Sequence, residues 1–321
     1  YLPEDWAEDE ARCLKAGVPK EEIVYKSKCE LALDSIRHQR SQGIDFRWVG
    51  VDGGYGKDPA FLRSLEADGE IFMADVHSDQ RFYLTNQNPV VPPSRSLKGR
   101  APEKLRAQSN PIQVDHWGQQ QPQSAWKTII VRDTTKGPLE IEVLHSRVWL
   151  WNGEEEKAHH WHLIVRREKN KPEEIKYSLS NASKYIKVKR LAFMQAQRFW
   201  VEQALKNGKS EAGMSDYQVR GWLAWNHHMA LVAMAMLFML RTRTIHQQDY
   251  PLLSCADIEI LLAHFLPRRD VTVDEVIRQM EVRHKQRQAS IDNACRKHKK
   301  KKNMLGNWLS PAISMFFNLP K

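Results

Sequence analysis

Hydrophobic and polar positions change rhythm several times along this chain, and each change marks an element. Residues 20–42 place Ile23, Ala32, Leu33 and Ile36 among charged neighbours, which predicts an amphipathic helix. Residues 46–51 (FRWVGV) run apolar and predict a strand ending at Asp52. GGYGKDP then reads as a turn, and residues 59–67 as a helix with proline in its first turn. Residues 71–76 (IFMADV) predict a second, buried strand. Strand, helix and strand in so short a span make a βαβ unit, with parallel strands and a right-handed crossover.

Residues 86–123 change character, becoming rich in Pro, Gln, Ser and Arg, and read as an extended connector. From 125 to 180 the pattern turns to β: KTIIVRD, LEIEVLHSRVWLW and HWHLIVRRE are separated by the turns KGP, NGEEE and NKPEE. Helical patterning resumes near residue 181 and carries Glu202, with further helices over 257–265 and 273–285. A basic run at 296–302 (RKHKKKK) reads as a flexible charged tail, and an apolar end follows it. The most hydrophobic segment is 222–240, interrupted by Asn226, His227 and His228. Its unbroken part, 229–240, is too short to span a bilayer and predicts a buried helix in a soluble protein.

Composition adds a preference for anions. Over 321 residues, 49 Lys and Arg against 39 Asp and Glu give a formal charge of +10, which favours a polyanionic partner without specifying one. Cys13, Cys29, Cys255 and Cys295 are dispersed with no CxxC pair, so neither a disulfide framework nor a zinc ribbon is indicated.

The candidate chemistry sits in RFWVEQALKNGK. Glu202 follows Arg198 by four positions and Lys209 follows Glu202 by seven, so all three share one face of a helix. An acidic residue between two basic ones can hold a cation beside a polyanion, and Asp52 at a strand end offers a second carboxylate. Each feature also has a plainer reading. Asp52 before Gly-Gly can simply form a turn, and Arg198, Glu202 and Lys209 can be a solvated face with an ion pair. His227–His228 and the HHWH cluster at 159–162 lack Cys or carboxylate partners at zinc spacing.

YLPEDWAEDEARC, GVDGGYGKDPAFL, ADVHSDQRFYL and above all RFWVEQALKNGKSEAGMSDYQVRGWLAWNHHMALV resemble bacterial insertion-sequence transposases of the DDE superfamily. The nearest group is the insertion sequence 701 family, related to the insertion sequence 4 family. Its helix signature is Tyr, two residues, Arg, three residues, Glu, six residues, Lys. Arg198, Glu202 and Lys209 match it, while Gln195 stands in place of the Tyr.

The resemblance implies a ribonuclease H-like α/β core interrupted by a β-rich insertion and followed by C-terminal helices. Residues 1–85 would be partial core, 86–180 connector and insertion, 181–245 core completion with the Glu-bearing helix, and 246–321 a helical region with a basic tail. It implies an Asp-Asp-Glu triad holding two Mg²⁺ ions, with Mn²⁺ as the alternative, in which Asp52 is the second Asp and Glu202 the Glu. Arg198 and Lys209 would contact DNA phosphates, and one of Trp126, Trp149, Trp151 or Trp161 a flipped base. The implied partner is double-stranded DNA at transposon ends and target, bound by a homo-oligomer in the bacterial cytoplasm at the nucleoid, away from membranes. The family's first Asp lies upstream of YLPEDWA. The expectation is therefore an N-terminally truncated transposase, inactive and poorly folded alone, with a non-catalytic DNA-binding remnant as the alternative.

Overall fold

The computed structural model describes residues 1–93, 102–134, 137–169, 171–218, 220–266 and 272–314. Two short helices lead in, α1 (Glu4–Ala7) and α2 (Glu10–Lys15). The helix expected over 20–42 starts later: Lys20–Glu22 is a 3-10 turn and α3 spans Lys28–Ser41. A reciprocal cap sets that start. Ser27 Oγ accepts from the Glu30 N–H at 3.2 Å, and Glu30 Oε2 accepts from the Ser27 N–H at 2.7 Å. First-turn N–H groups that would lack partners are thereby satisfied.

β1 (Val49–Val51) is shorter than the run 46–51 predicts, because the Phe46 carbonyl accepts from Arg40 Nη2 at 2.6 Å instead of joining the ladder. The expected turn after Asp52 is one helical turn, α4 (Gly53–Gly56), and α5 (Pro59–Ala67) follows. Asp58 caps α5, accepting from the Ala60 N–H at 2.9 Å, and Pro59 occupies the first turn where its missing N–H costs nothing. β2 (Phe72–Val76) then pairs parallel to β1, with Val49 opposite Phe72 and Val51 opposite Ala74. The predicted βαβ unit is present.

Within the expected connector, β3 (Arg81–Phe82) and β4 (Ile112–Gln113) form a two-stranded antiparallel ribbon, and α6 (Val114–Gln119) follows; residues 94–101 of that connector lie outside the described residues. Four antiparallel strands come next, β5 (Lys127–Thr134), β6 (Gly137–Leu150), β7 (His159–Glu168) and β8 (Lys171–Ser180). β8 returns to pair antiparallel with β2, giving one six-stranded mixed sheet in the order β1-β2-β8-β7-β6-β5. The β-rich segment thus extends the sheet of β1 and β2. This mixed α/β architecture with C-terminal helices is consistent with a ribonuclease H-like fold.

Alternation along the strands separates two apolar layers. Phe72, Ala74, Val76, Trp161, Leu163 and Leu179 join Phe61, Leu62 and Leu65 of α5 on one face. Met73, Ile141, Val143 and Ile164 meet Leu191, Ala192 and Met194 of α7 (Val188–Ala196) on the other. The odd-numbered positions of β2 therefore face α7 and the helix after it. α8 (Arg198–Glu211) follows α7 with only Gln197 between them.

α9 (Trp222–Ile245) corrects the expectation of a buried helix. Among its residues only Val232 and Met239 are buried, while Leu223, Met234, Leu237 and Phe238 are exposed. A helix apolar on every side is ordinarily buried in a core or a membrane, but its burial depends on which elements reach it, and here only Val232 and Met239 are covered. By length and composition this 24-residue helix is apolar enough to cross a membrane, with a mean hydropathy of 1.5 over an 18-residue stretch. α10 (Cys255–Phe265) and α11 (Val273–Ser314) complete the described chain. α11 continues well past residue 285 and through the basic run expected to be flexible. The chain divides into a unit of Tyr1–Ala256 and a second of Asp257–Lys321.

Candidate functional site

Asp52 leaves β1 and caps α4, with Oδ1 accepting from the Gly54 N–H at 2.9 Å. The two glycines after it permit close neighbours. A Cβ on Gly53 would stand 3.3 Å from the His77 ring, and one on Gly54 would stand 3.0 Å from Asp52 Oδ1. Asp52 thus forms the turn that the plain reading expected and also lines an open cleft of about 470 Å³, together with Asp75, His77, Lys176 and Arg198.

Asp75, on the α7-facing side of β2, is the residue that sequence reasoning missed. Its partner across the ladder is Ser178 of β8, whose hydroxyl donates to Asp75 Oδ1 at 2.6 Å. Gln195 Nε2 in turn donates to Ser178 Oγ at 2.6 Å. Arg198 Nη1 donates to Asp75 Oδ2 at 2.8 Å, and its Nη2 lies 3.5 Å from Glu202 Oε1. Burial alone would lower the Arg198 pKa. The Asp75 hydrogen bond and charge, with the fields of Asp52 and Glu202, reverse that and raise it. The signal for Asp75 was present: a charged residue inside the apolar run IFMADV needs a partner once buried. Gln195, which stands where the family signature has Tyr, is buried and holds this relay.

The predicted residues do not all converge. Asp52, Asp75 and Arg198 share the cleft, whereas Glu202 lines an adjoining pocket of about 230 Å³ with Asp75 and Arg198. The Glu202 side chain is 67% exposed. Lys209 lines neither space. It lies on the same helical stripe roughly 16 Å along the axis from Arg198, too far to share one phosphate with it.

For a hard divalent cation the donor chemistry is right, since carboxylate oxygens are what Mg²⁺ prefers. Asp52 has only one oxygen engaged and Glu202 is exposed, so each has carboxylate oxygen free for a cation, although they line adjoining spaces rather than one. Asp75 is committed to Ser178 and Arg198. Among the described residues no three His, Cys, Asp or Glu side chains gather into a metal cluster. These two carboxylates fit as part of a metal site that needs at least one further ligand.

The 159–162 cluster belongs to the sheet, on β7, whereas His227 and His228 lie on α9. His162 Nε2 lies 3.2 Å from the carbonyls of Ala182 and Ser183, so it carries the hydrogen, and Nδ1 accepts from His145 Nε2 at 2.8 Å. Burial, then the charge of Arg147, pushes the His162 pKa down to about 4. The unfolded chain, with a His pKa of about 6.5, binds the extra proton first. Stability is therefore full above pH about 6.5 and lost as pH falls towards 4. The melting temperature should drop across that window, and His162→Gln, which keeps a neutral donor and acceptor, should flatten the drop. An unchanged slope would remove His162 from the account.

No curated protein matches the chain. The segment that carries both Asp52 and Asp75, residues 1–138, matches the family model described as DDE superfamily endonuclease and is similar to that family, whose domains generally act with divalent metals.

Proposed function

We propose that this chain is a transposase of the insertion sequence 701 family, a cytoplasmic, nucleoid-associated protein that cleaves and joins double-stranded DNA at insertion-sequence ends. The observation that carries the reading is Arg198 bridging Asp75 and Glu202 beside Asp52, on elements far apart in sequence. Asp52 and Glu202 would hold Mg²⁺, or Mn²⁺ in its place. A bound metal pair supplies an activated oxygen nucleophile and neutralises charge at phosphorus. Asp52 is kept at the cleft floor by its cap to α4, which fixes its free oxygen. Arg198, raised in pKa and anchored by Asp75, presents a permanent positive charge to a phosphate. Lys209, further along α8, would meet a phosphate at another point on the duplex, and a homo-oligomer assembled on DNA would present two such sites.

The test is strand cleavage of duplex DNA in Mg²⁺ by the chain and by Asp52→Asn and Glu202→Gln. Each substitution should cost about 100-fold or more, because metal-borne charge stabilisation is worth several kcal/mol. Cleavage retained by either variant would sink the assignment. The two-carboxylate count favours one second reading, a DNA-binding chain without cleavage. Its signature is salt-dependent duplex binding with no metal-dependent product.

A further inference from the structure

Among the described residues, the pocket beside the cleft holds guanidinium groups whose hydrogen-bond donors are not fully met. Arg166 of β7 is only 7% exposed, yet among the described residues its guanidinium makes no hydrogen bond or ion pair. Arg132 of β5 sits over Phe199 and Trp200, with its guanidinium carbon 4.2 Å and 5.0 Å from the ring centres, and among the described residues its buried Nε has no hydrogen-bond partner. Lys176 of β8 lines both this pocket and the cleft. A buried guanidinium costs free energy unless its donors are met, and five donors in a fixed fork match phosphate oxygens. Burial lowers the Arg166 pKa and Arg132 adds to the lowering, while Glu168 and Asp75 oppose it. Arginine nevertheless stays charged at working pH.

Of the carboxylates in this pocket, Asp75 is taken by Arg198, and Glu202 lies against Arg198 too. That leaves three cations, Arg132, Arg166 and Lys176, against Glu168 as the lining carboxylate that Arg198 does not hold, with the Asp75 charge reaching Arg166 as well. Because Asp75, Lys176 and Arg198 line both spaces, pocket and cleft form one groove.

We propose that Arg132, Arg166 and Lys176 form a phosphate-binding subsite that grips the DNA backbone next to the position held at Asp52 and Arg198. This rests on the DNA-acting reading above. Phe199 and Trp200 hold Arg132 in place from α8, so the subsite joins the sheet to the helix that bears Glu202.

The experiment is the salt dependence of duplex binding, read by fluorescence anisotropy, for the full chain, Arg166→Gln, Lys176→Gln and Lys169→Gln. Each lost phosphate contact should lower the slope of log K against log salt by about 0.9. Arg166→Gln and Lys176→Gln should each show that loss. Lys169→Gln, whose ammonium pairs with Glu140 3.2 Å away, should not. Lys176 is exposed, so its variant reads the subsite even where Arg166→Gln fails to fold. Slopes equal to wild type in Lys176→Gln and in folded Arg166→Gln would overturn the subsite and leave the DNA reading standing. Where the wild-type chain binds no duplex, inorganic pyrophosphate is titrated against the intrinsic tryptophan fluorescence. A response lost in Lys176→Gln keeps the phosphate site and overturns the DNA reading, and no response overturns both.

Discussion

Gly56→Ala should cost about 3 kcal/mol of stability, at the upper end of what overpacking does, and should disable the cleft with it. A Cβ at Gly56 would stand 1.9 Å from the Asp75 carbonyl oxygen and 3.0 Å from its carbonyl carbon. Those atoms belong to the backbone of β2, so no side-chain rotation relieves the clash. Either α4 lifts off the sheet or β2 shifts. α4 is the helix that Asp52 caps and β2 carries Asp75, so either movement separates the two carboxylates. Gly50→Ala on β1 is the control, since a Cβ there meets nothing within 4 Å. Urea unfolding should show a lowered midpoint with unchanged m for Gly56→Ala and little change for Gly50→Ala. Equal midpoints for the two variants would show that α4 does not need this close approach.

The same close packing explains what the sequence disclosed and what it withheld. The βαβ unit was legible because its signals are local: Pro59 behind a capping Asp58, and apolar runs bounded by turn residues. The four strands from β5 to β8 were legible for the same reason, each flanked by Gly, Asn or Pro. Asp52 and Arg198 stood out in the sequence because one ends an apolar run and the other belongs to a spaced helical pattern. Asp75, Ser178 and Gln195 form one relay across more than a hundred residues of chain, and no periodicity links them. Only the pairing of β8 with β2 sets them side by side. The start of α3 was misplaced because hydrophobic spacing outweighed the Ser27 and Glu30 cap, whose pattern was readable. α9 was misjudged for a different reason: hydropathy records what a segment can bury, whereas burial depends on which elements reach it.

Trp161→Ala should be as damaging as Gly56→Ala, at about 3–5 kcal/mol, and by a separate route. The indole is 1% exposed and meets the edge of Phe72 with ring centres 4.8 Å apart at 82°. Its Nε1–H donates to Glu66 Oε1 at 2.6 Å, and the Arg63 guanidinium stacks 4.6 Å from the ring. Truncation leaves a cavity between β7 and β2 and removes one of the two side-chain donors that hold Glu66, the other being His159. Trp161→Phe retains most of the volume and loses only the donor, so it should cost less than half as much. Four tryptophans were candidates to meet an unstacked base, and full burial removes this one, leaving the partly exposed Trp126, Trp149 and Trp151. Trp149 is already stacked on His160 with ring centres 4.2 Å apart. Trp126 lies under the Arg167 guanidinium at 3.9 Å. DNA affinity should therefore be unchanged in Trp161→Phe. A variant that stays fully stable yet loses duplex binding would put Trp161 at the DNA after all, and would mean that β7 opens when the duplex is bound.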